Sequence, residues 1–215
     1  MTFNKIDIQT WNRKEAYDHY LRAVPCTYSM TINLNITALI STVKRRKLKF
    51  FPIMLYGITH TVNHHAEFRM DLDEMNNLGY YSYSNPCYTV FHNETETFTN
   101  IWTEYDADFE VFMESYSADM LTYQNDFERS KPLVSNNLFN VSCIPWSSFV
   151  GFNLNLQQGY SYFPPIFTIG KYFSDGSKVL LPLAIQVHHA VCDGFHLSRF
   201  INDLQKWVDA FARLA

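Results

Sequence analysis

A long apolar strand that leads directly into an amphipathic helix constrains the fold of this chain more than any other feature. The segment Leu180–Val187 carries no charge and is apolar except for one glutamine, which is typical of a buried strand. A tight turn at Asp193-Gly194 follows, and a helix is then predicted from Phe195 to about Leu214. The apolar residues of this helix recur at helical spacing and are expected to face inward: Phe200, Leu204, Trp207, Phe211 and Leu214. Such a helix needs a sheet or other helices on which to pack its apolar stripe.

Shorter strands and helices are predicted along the rest of the chain. Thr27–Asn35 alternates apolar and polar residues, which predicts a half-buried strand. Further strands are predicted at Gly79–Tyr83, Tyr88–His92, Thr97–Thr103, Leu138–Ile144, Ser148–Leu156, Ile166–Phe173 and Lys178–His189. Asn12 and Glu15 resemble a capping box, which predicts a short helix that ends before Pro25. Further helices are predicted at Thr37–Arg46, Ile53–His65 and Ala107–Phe127, and the segment Glu128–Asn137 is predicted to be a long loop.

The composition shows that the chain can bury one large core. Its 215 residues include 18 Phe, 14 Tyr and 4 Trp, and 47% of them are hydrophobic, which excludes a disordered or low-complexity chain. We find no internal repeat or linker, and we expect residues 1–215 to form a single domain. Mixed strands with helices at both ends predict an α+β fold, a two-layer sandwich of helices on one mostly antiparallel mixed β-sheet.

Charge, glycine content and hydropathy exclude several classes of function. With only 7 glycines, the chain has neither G-x-G-x-x-G nor G-x-x-x-x-G-K-[ST], so the usual phosphate-binding loops are absent. A net charge of −4 argues against a nucleic-acid or membrane-surface partner. No apolar run reaches the roughly 20 residues of a membrane span, and the first residues do not resemble a signal peptide. We therefore expect a cytoplasmic protein whose cysteines are reduced.

Chemistry is predicted where the apolar strand ends, at His188 and His189. An imidazole at the end of a rigid strand is well placed to act as a general base, because a pKa of about 6.5 leaves it mostly neutral at pH 7. A histidine that only satisfies core contacts is the simpler alternative, and Asp193 could serve only to cap the final helix. If Asp193 is buried, it needs a charged partner.

No metal site is predicted. Neighbouring strand residues point to opposite faces, so His188 and His189 cannot readily share one ion. His60 and His64 lie four residues apart on a predicted helix, but there is no H-E-x-x-H motif and no third ligand nearby. The basic run Lys44–Lys49 is expected to be a solvated helix end.

The segment His188–Gly194 matches the H-H-x-x-x-D-G signature of CoA-dependent acyltransferases. Other segments, in the same order, narrow the resemblance: Trp11–Glu15, Pro25–Ser29, Glu94–Phe98, Asn140–Ser142 with Pro145-Trp146, Phe152–Asn155 and Gly170–Tyr172. Together they resemble the chloramphenicol acetyltransferase family over essentially the whole chain. The resemblance implies transfer of an acetyl group from acetyl-CoA to the 3-hydroxyl of chloramphenicol, which inactivates the antibiotic, with no acyl-enzyme and no metal.

The resemblance also implies roles for particular residues. His189 matches the general base, and the family holds the second nitrogen of this ring with the histidine's own backbone carbonyl. Ser142 matches the donor to the oxyanion that forms on the thioester carbonyl. Strand alternation predicts that Asn140 and Ser142 share one face of the sheet and that Cys143 lies on the other. Thr168 matches a threonine that assists through a bound water. Arg13 matches the partner of Asp193, which would make both residues structural supports of the site.

Binding residues and assembly follow from the same resemblance. The acceptor pocket would be lined by Tyr20, Cys26, Tyr28, Leu154 and Ile166. Acetyl-CoA would be bound by Lys49, Trp146, Lys171 and Tyr172. Members of the family are homotrimers with active sites between subunits, so we expect His189 to come from one side of each interface and much of the acceptor pocket from the other.

Two alternatives remain open at this point, and two related families are disfavoured. A related trimeric O-acetyltransferase could act on a different hydroxyl. A non-catalytic protein could only sequester the drug, although sequestration needs neither His189 nor Ser142. Dihydrolipoyl acyltransferases share the H-x-x-x-D-G motif but usually carry Asp where this chain has His188, and peptide-synthetase condensation domains need about twice this length.

Overall fold

The computed structural model describes residues 1–126, 130–133, 136–156 and 162–214, and its central feature is a mixed β-sheet. The strands are β1 (Phe3–Lys5), β2 (Thr27–Asn35), β3 (Met70–Leu72), β4 (Leu78–Tyr81), β5 (Asn85–His92), β6 (Thr97–Trp102), β7 (Leu138–Ile144), β8 (Ile166–Gly170), β9 (Phe173–Asp175) and β10 (Lys178–His188). Within these described ranges the large sheet has the order β2-β10-β8-β7-β5-β6, with β9 beside the start of β10. A small antiparallel sheet has the order β1-β4-β3.

The large sheet is mixed but mostly antiparallel. β10 pairs antiparallel with β2 and β8, and β5 pairs antiparallel with β6. β7 runs parallel to both of its neighbours, β5 and β8. β10 therefore lies in the interior of the sheet, which explains why its sequence is almost entirely apolar. The predicted α+β class, with helices on a mostly antiparallel mixed sheet, is confirmed.

Helices cover one face of this sheet. They are α1 (Lys14–Asp18), α2 (Thr37–Arg46), α3 (Phe50–Asn63), α4 (Phe109–Tyr123) and α5 (Gly194–Leu214), with a π-helical turn, His19–Ala23, after α1 and a 3-10 turn, Ala66–Phe68, after α3. Phe200 of α5 packs on Phe167 of β8 with ring centroids 5.4 Å apart. Gly57 of α3 allows close approach of α5, because a Cβ at this position would lie 2.3 Å from the ring of Trp207.

Alternation along the interior strands gives the sheet two different faces. The register pairs Val141 of β7 with Phe167 of β8, and both side chains are buried toward the helix layer. The next pair in the register, Ser142 and Thr168, therefore lies on the face that points away from the helices. Asn140, two residues before Ser142, is on that same polar face, as the sequence predicted.

The predicted strand Ser148–Leu156 is wrong. This segment has no strand pairing, and side chains bind its backbone instead. The backbone N–H of Phe152 donates to Oγ1 of Thr31 at 3.2 Å, and the N–H of Leu154 donates to Oε1 of Gln186 at 2.8 Å. The polar face of the sheet thus holds this segment across the strands rather than beside them.

The predicted capping box before α1 is also wrong. Arg13 rather than Asn12 precedes the first helical residue, and no side chain caps this helix. The Arg13 side chain instead reaches Asp193, 180 residues further along the chain. The helical segment nevertheless ends at Ala23, before the proline, as predicted.

Other helix and strand bounds differ by a few residues. α4 begins at Phe109 because the Asp108 side chain accepts the backbone N–H of Glu110 at 2.8 Å. Phe127 and part of the predicted loop Glu128–Asn137 lie outside the described residues. β1, β3 and β9 are too short to show a period, and the predicted strand Ile166–Phe173 is divided between β8 and β9. Within the described ranges no helix is long and apolar enough to cross a membrane.

Candidate active site

His189 follows the last residue of β10 and is held from several sides. Its backbone N–H donates to the carbonyl of Cys26 at 3.1 Å. Its ring stacks on that of Tyr20, with centroids 3.7 Å apart, and lies 5.0 Å from that of Tyr28. Nδ1 of His189 is buried and has no hydrogen-bond partner among the described residues, so the bond expected to its own carbonyl is not observed. Aromatic contacts therefore orient this ring.

The residues on either side of His189 fix the turn that carries it. The His188 side chain is buried, and its Nδ1 accepts the backbone N–H of Ala190 at 3.1 Å. The His188 carbonyl accepts the N–H groups of Val191 at 3.2 Å and Cys192 at 3.0 Å. The side chains of Ala190, Val191 and Cys192 belong to the hydrophobic core. This turn is therefore packed and hydrogen-bonded, and it holds the imidazole in a defined place.

Asp193 joins the end of this turn to two other segments. Its Oδ2 accepts a hydrogen bond from Nη1 of Arg13, and its Oδ1 accepts the N–H of Phe195 at 3.0 Å, at the start of α5. The arginine partner and the helix cap are thus both present. Burial acts to raise the pKa of Asp193, but hydrogen bonds from Arg13 and from the His196 backbone hold that pKa below its usual range. The pair is only partly buried, since the side chain of Arg13 is 15% exposed and that of Asp193 is 34% exposed.

Ser142 lies elsewhere, on the polar face of the sheet. A cavity of about 340 Å³ opens on this face, and we call it the Ser142 cavity. Its lining includes Ser142, Cys87, Asn140, Leu154, Tyr162 and Ile166. Thr168, which pairs with Ser142 in the register, is buried and borders a smaller gap beside Leu154 and Ile166. Two of the predicted catalytic residues are therefore brought together with part of the predicted acceptor pocket.

The sequence-based interpretation missed Tyr162 and Gln186, which lie at or beside this cavity. Nδ2 of Asn140 donates to the Tyr162 hydroxyl. Burial raises the pKa of Tyr162 to about 12 and that of Cys87 to about 11, so both groups stay neutral. Gln186 of β10 accepts the backbone N–H of Leu154, a lining residue of the cavity, and itself borders the smaller gap beside Thr168. The isolated glutamine in an otherwise apolar strand was the signal that could have identified it.

His189 and Ser142 do not meet within one chain. Ala184 of β10 pairs with Thr168, which pairs with Ser142, so these residues form one row across the sheet. His189 comes five residues after Ala184, which is about 16 Å further along an extended strand. The predicted site residues therefore form two groups. Tyr20, Cys26 and Tyr28 lie with His189, whereas Leu154, Ile166 and Thr168 lie with Ser142.

The four residues predicted to bind acetyl-CoA lie near the carboxyl ends of β7 and β8. Trp146 follows β7 with its side chain 60% exposed, and Lys171 and Tyr172 follow β8. The backbone N–H of Lys171 donates at 2.9 Å to the carbonyl of the residue after Trp146, which joins the two strand ends. The ring of Tyr172 lies 5.8 Å from that of Phe50, which directly follows Lys49 at the start of α3. Exposed rings and two lysines thus share one end of the sheet.

Comparisons with known proteins identify the class to which this fold and site belong. The family model for chloramphenicol acetyltransferase matches residues 1–205. A chloramphenicol acetyltransferase of Clostridium perfringens is 52% identical over 211 residues, which cover 98% of this chain and 100% of the relative. One of Campylobacter coli is 53% identical over 206 residues, which cover 95% of this chain and 98% of the relative. The protein is therefore an acyltransferase.

The fold agrees with these sequence matches. A solved structure of a chloramphenicol acetyltransferase has a TM-score of 0.85 and 22% identity to this chain, and the match covers 96% of this chain and 100% of that one. At 22% identity this structural similarity shows only that the fold is shared, and membership of the family rests on the sequence matches. The chain belongs to the chloramphenicol acetyltransferase family. The resemblance carried by the signature and its flanking segments is thus confirmed.

Proposed function

We propose that the protein transfers the acetyl group of acetyl-CoA to the 3-hydroxyl of chloramphenicol in one direct attack. The observation that carries this proposal is the placement of His189, at the end of an interior strand with its ring held by Tyr20 and Tyr28. An imidazole held in this way can accept a proton without losing its orientation. A histidine with only a structural role would not need its ring to be held in a fixed orientation just after the end of the strand.

The proposed step balances without an acyl-enzyme. Nε2 of His189 takes the proton of the 3-hydroxyl while the hydroxyl oxygen attacks the thioester carbonyl, which becomes a tetrahedral oxyanion. The carbonyl then re-forms, the carbon–sulfur bond breaks, and the departing sulfur takes the proton from the imidazolium. The products are the 3-acetyl ester and free CoA, and the imidazole is neutral again.

Ser142 is proposed as the donor to the oxyanion. Its hydroxyl lies on the polar face of the sheet, where it lines the Ser142 cavity, and Thr168 is beside it in the register. A donor fixed on an interior strand needs little reorganisation when charge develops, which is why such groups are effective. Thr168 is proposed to act through a bound water, because it is buried next to this serine rather than open to the cavity.

The separation of His189 from Ser142 supports a site formed between copies of the chain. We propose a homotrimer in which the His189 group of one copy faces the Ser142 cavity of the next. This arrangement places base and oxyanion donor on opposite sides of the bound substrates. A closed ring of three identical contacts needs each copy to present two different surfaces, and the two groups of site residues provide them.

Acetyl-CoA is proposed to lie across the carboxyl ends of β7 and β8. A ligand there would meet the exposed rings of Trp146 and Tyr172, and its phosphates would meet Lys49 and Lys171. Its thioester end would then point along these two strands toward Ser142. The chemistry of this set, two cations and two exposed aromatic rings, fits a co-substrate with an adenine and several phosphates.

The test is thiol release from acetyl-CoA, measured with and without chloramphenicol, with the product identified by mass and by NMR. We expect thiol release that depends on the drug and a product acetylated at the 3-oxygen. Tight drug binding without thiol release would show a sequestering protein instead. A panel of other hydroxyl acceptors addresses the second candidate, because a larger kcat/KM for another acceptor would keep the transferase and change its substrate.

A further inference from the structure

The carboxylate of Asp193 is held by a third group besides Arg13 and the helix N-terminus. Nδ1 of His196 lies 2.9 Å from Oδ1 of Asp193. Nε2 of the same ring lies 3.5 Å from Oε1 of Glu67, and Nη2 of Arg199 donates to that same oxygen at 3.0 Å. These contacts form one continuous row of five side chains, which runs from the N-terminal segment into α5: Arg13, Asp193, His196, Glu67 and Arg199.

We propose that His196 is a positioning residue for His189, acting through Asp193 and anchored by Glu67. The inference rests on the proposed role of His189 as the general base. Arg13 ties Asp193 to the segment before α1, whereas His196 ties it to the 3-10 turn after α3. The signature turn is therefore fixed from two independent parts of the fold.

Both nitrogens of the His196 ring face carboxylate oxygens. Nδ1 also accepts the backbone N–H of Asp193 at 3.3 Å, so the ring contacts both the backbone and the carboxylate of Asp193. Nε2 lies toward Glu67, and Arg13 and Arg199 contact the two carboxylates at the outer ends of this row of side chains.

Burial strengthens this arrangement. The His196 side chain is only 13% exposed and that of Glu67 only 18%, so solvent screens these contacts less than those on an open surface. Arg199, the outermost member, is 41% exposed. His196 is thus the least exposed of these three side chains, and it lies next to the carboxylate of Asp193 at the end of the signature turn.

The contact is close enough to His189 to affect catalysis. Three residues separate His189 from Asp193, and their side chains are buried, so a shift of Asp193 moves a rigid turn rather than a flexible loop. A displacement of about 1 Å in a catalytic group can cost on the order of 100-fold in rate. Leu154 and Ile166 of the proposed acceptor pocket lie with Ser142, away from this turn, so binding of the substrates there should be spared.

Three substitutions of His196 distinguish the effect of the contact at Nδ1 from the effect of the contact at Nε2. His196→Ala removes both contacts. His196→Asn keeps a side-chain oxygen close to the Nδ1 position, where it can accept the backbone N–H of Asp193. The matched control is His196→Gln, which keeps a donor close to the Nε2 position, toward Glu67. We expect kcat to fall about 10- to 100-fold in the Ala and Gln variants, with both KM values within about twofold, and to recover to within about threefold in the Asn variant.

A merely structural role would give a different result. It would lower the melting temperature of the variants and the fraction of active protein, while kcat per active site stayed normal. A folded His196→Ala enzyme with normal kcat, or equal losses in the Asn and Gln variants, would overturn the proposal. If His189→Ala also kept its activity, the assigned base itself would be wrong, which is a separate outcome.

Glu67 gives a second, independent check. If Glu67 acts only through the ring, the double variant Glu67→Gln, His196→Ala should lose no more kcat than His196→Ala alone, because coupled residues are not additive. We expect Glu67→Gln alone to lower kcat less than His196→Ala does. Fully additive losses would contradict the anchoring role of Glu67.

Discussion

The ring of Tyr20 lies almost parallel to the ring of His189, with centroids 3.7 Å apart and planes inclined by 7°. Tyr20 belongs to the π-helical turn His19–Ala23, and Arg13, just before α1, binds Asp193. One N-terminal segment therefore contacts both ends of the signature turn. Since Nδ1 of His189 has no hydrogen-bond partner among the described residues, this stack is the contact that fixes the plane of the ring.

Replacing Tyr20 with alanine should lower kcat about 3- to 10-fold, because an aromatic pair of this kind contributes ~0.5–1.5 kcal/mol to the orientation of the ring. Tyr20→Phe keeps the stack and serves as the control. If Tyr20 only orients His189, the Phe variant should keep its kcat and its KM for chloramphenicol. A rise in that KM would instead show that the hydroxyl binds the acceptor.

Removing the imidazole of His189 should nearly abolish acetyl transfer. We expect His189→Ala and His189→Gln to lower kcat by about 100- to 10,000-fold, because general-base catalysis contributes rate factors of this size. Binding of chloramphenicol, measured by calorimetry on the same samples, should persist. A variant that keeps more than about a tenth of the wild-type kcat would remove His189 from the role of base.

Substituting Asp193 with Asn should mainly lower stability and displace His189. Breaking a fully buried ion pair costs about 3–5 kcal/mol and an exposed one less than about 1 kcal/mol, and Asp193 is 34% exposed, so we expect about 1–3 kcal/mol. Asn caps helices as well as Asp does, so the start of α5 should be kept. An unchanged melting temperature with a much reduced kcat would point to a chemical role for this carboxylate.

The same pair should make stability depend on pH. The pKa of Asp193 is lowered in the folded protein by Arg13 and by backbone hydrogen bonds that outweigh the effect of burial. Its contribution is therefore complete above the ordinary carboxyl pKa of about 3.9 and is lost as the pH falls through the lower folded-state value. Melting curves of wild type and Asp193→Asn should differ at pH 7 and converge in acid.

Strand alternation predicted which face of the sheet carries Ser142, whereas the roles of the site residues and the division of the site between copies were implied by the family resemblance. Strand alternation placed Asn140 and Ser142 on one face correctly, because period-2 alternation depends only on neighbouring residues. The distance between Ser142 and His189 depends on the strand order, which no local pattern contains. Ser148–Leu156 failed for a related reason, since its backbone is bound by side chains from β2 and β10.

Ser142→Ala should behave as a transition-state variant. A hydroxyl that donates only to the tetrahedral oxyanion leaves ground-state binding unchanged, so kcat should fall while both KM values stay near wild type. Removal of one such donor costs about 2.7–4 kcal/mol, or on the order of 100- to 1,000-fold in kcat. If Ser142 only packs in the sheet, the melting temperature should change and the rate should stay within a few-fold of normal.

Mixing two inactive variants tests whether the active site lies between copies. In His189→Ala the Ser142 group is intact, and in Ser142→Ala the His189 group is intact. If each site combines the two groups from neighbouring copies, random 1:1 mixing in a homotrimer makes the wild-type pairing at about one site in four. Co-expressed mixtures should therefore recover about a quarter of the wild-type kcat per site, well above either variant alone.

Two controls make this experiment decisive. Each variant expressed alone sets the residual rate, and sedimentation of the mixture shows that hybrids have formed with the size of a trimer. A site contained within one chain predicts no recovery, because every chain then carries one damaged group. A fully active monomer would contradict the shared site outright. Recovery near one quarter would require His189 and Ser142 to act from different copies, which is the arrangement that their separation along β10 and across the sheet led us to propose.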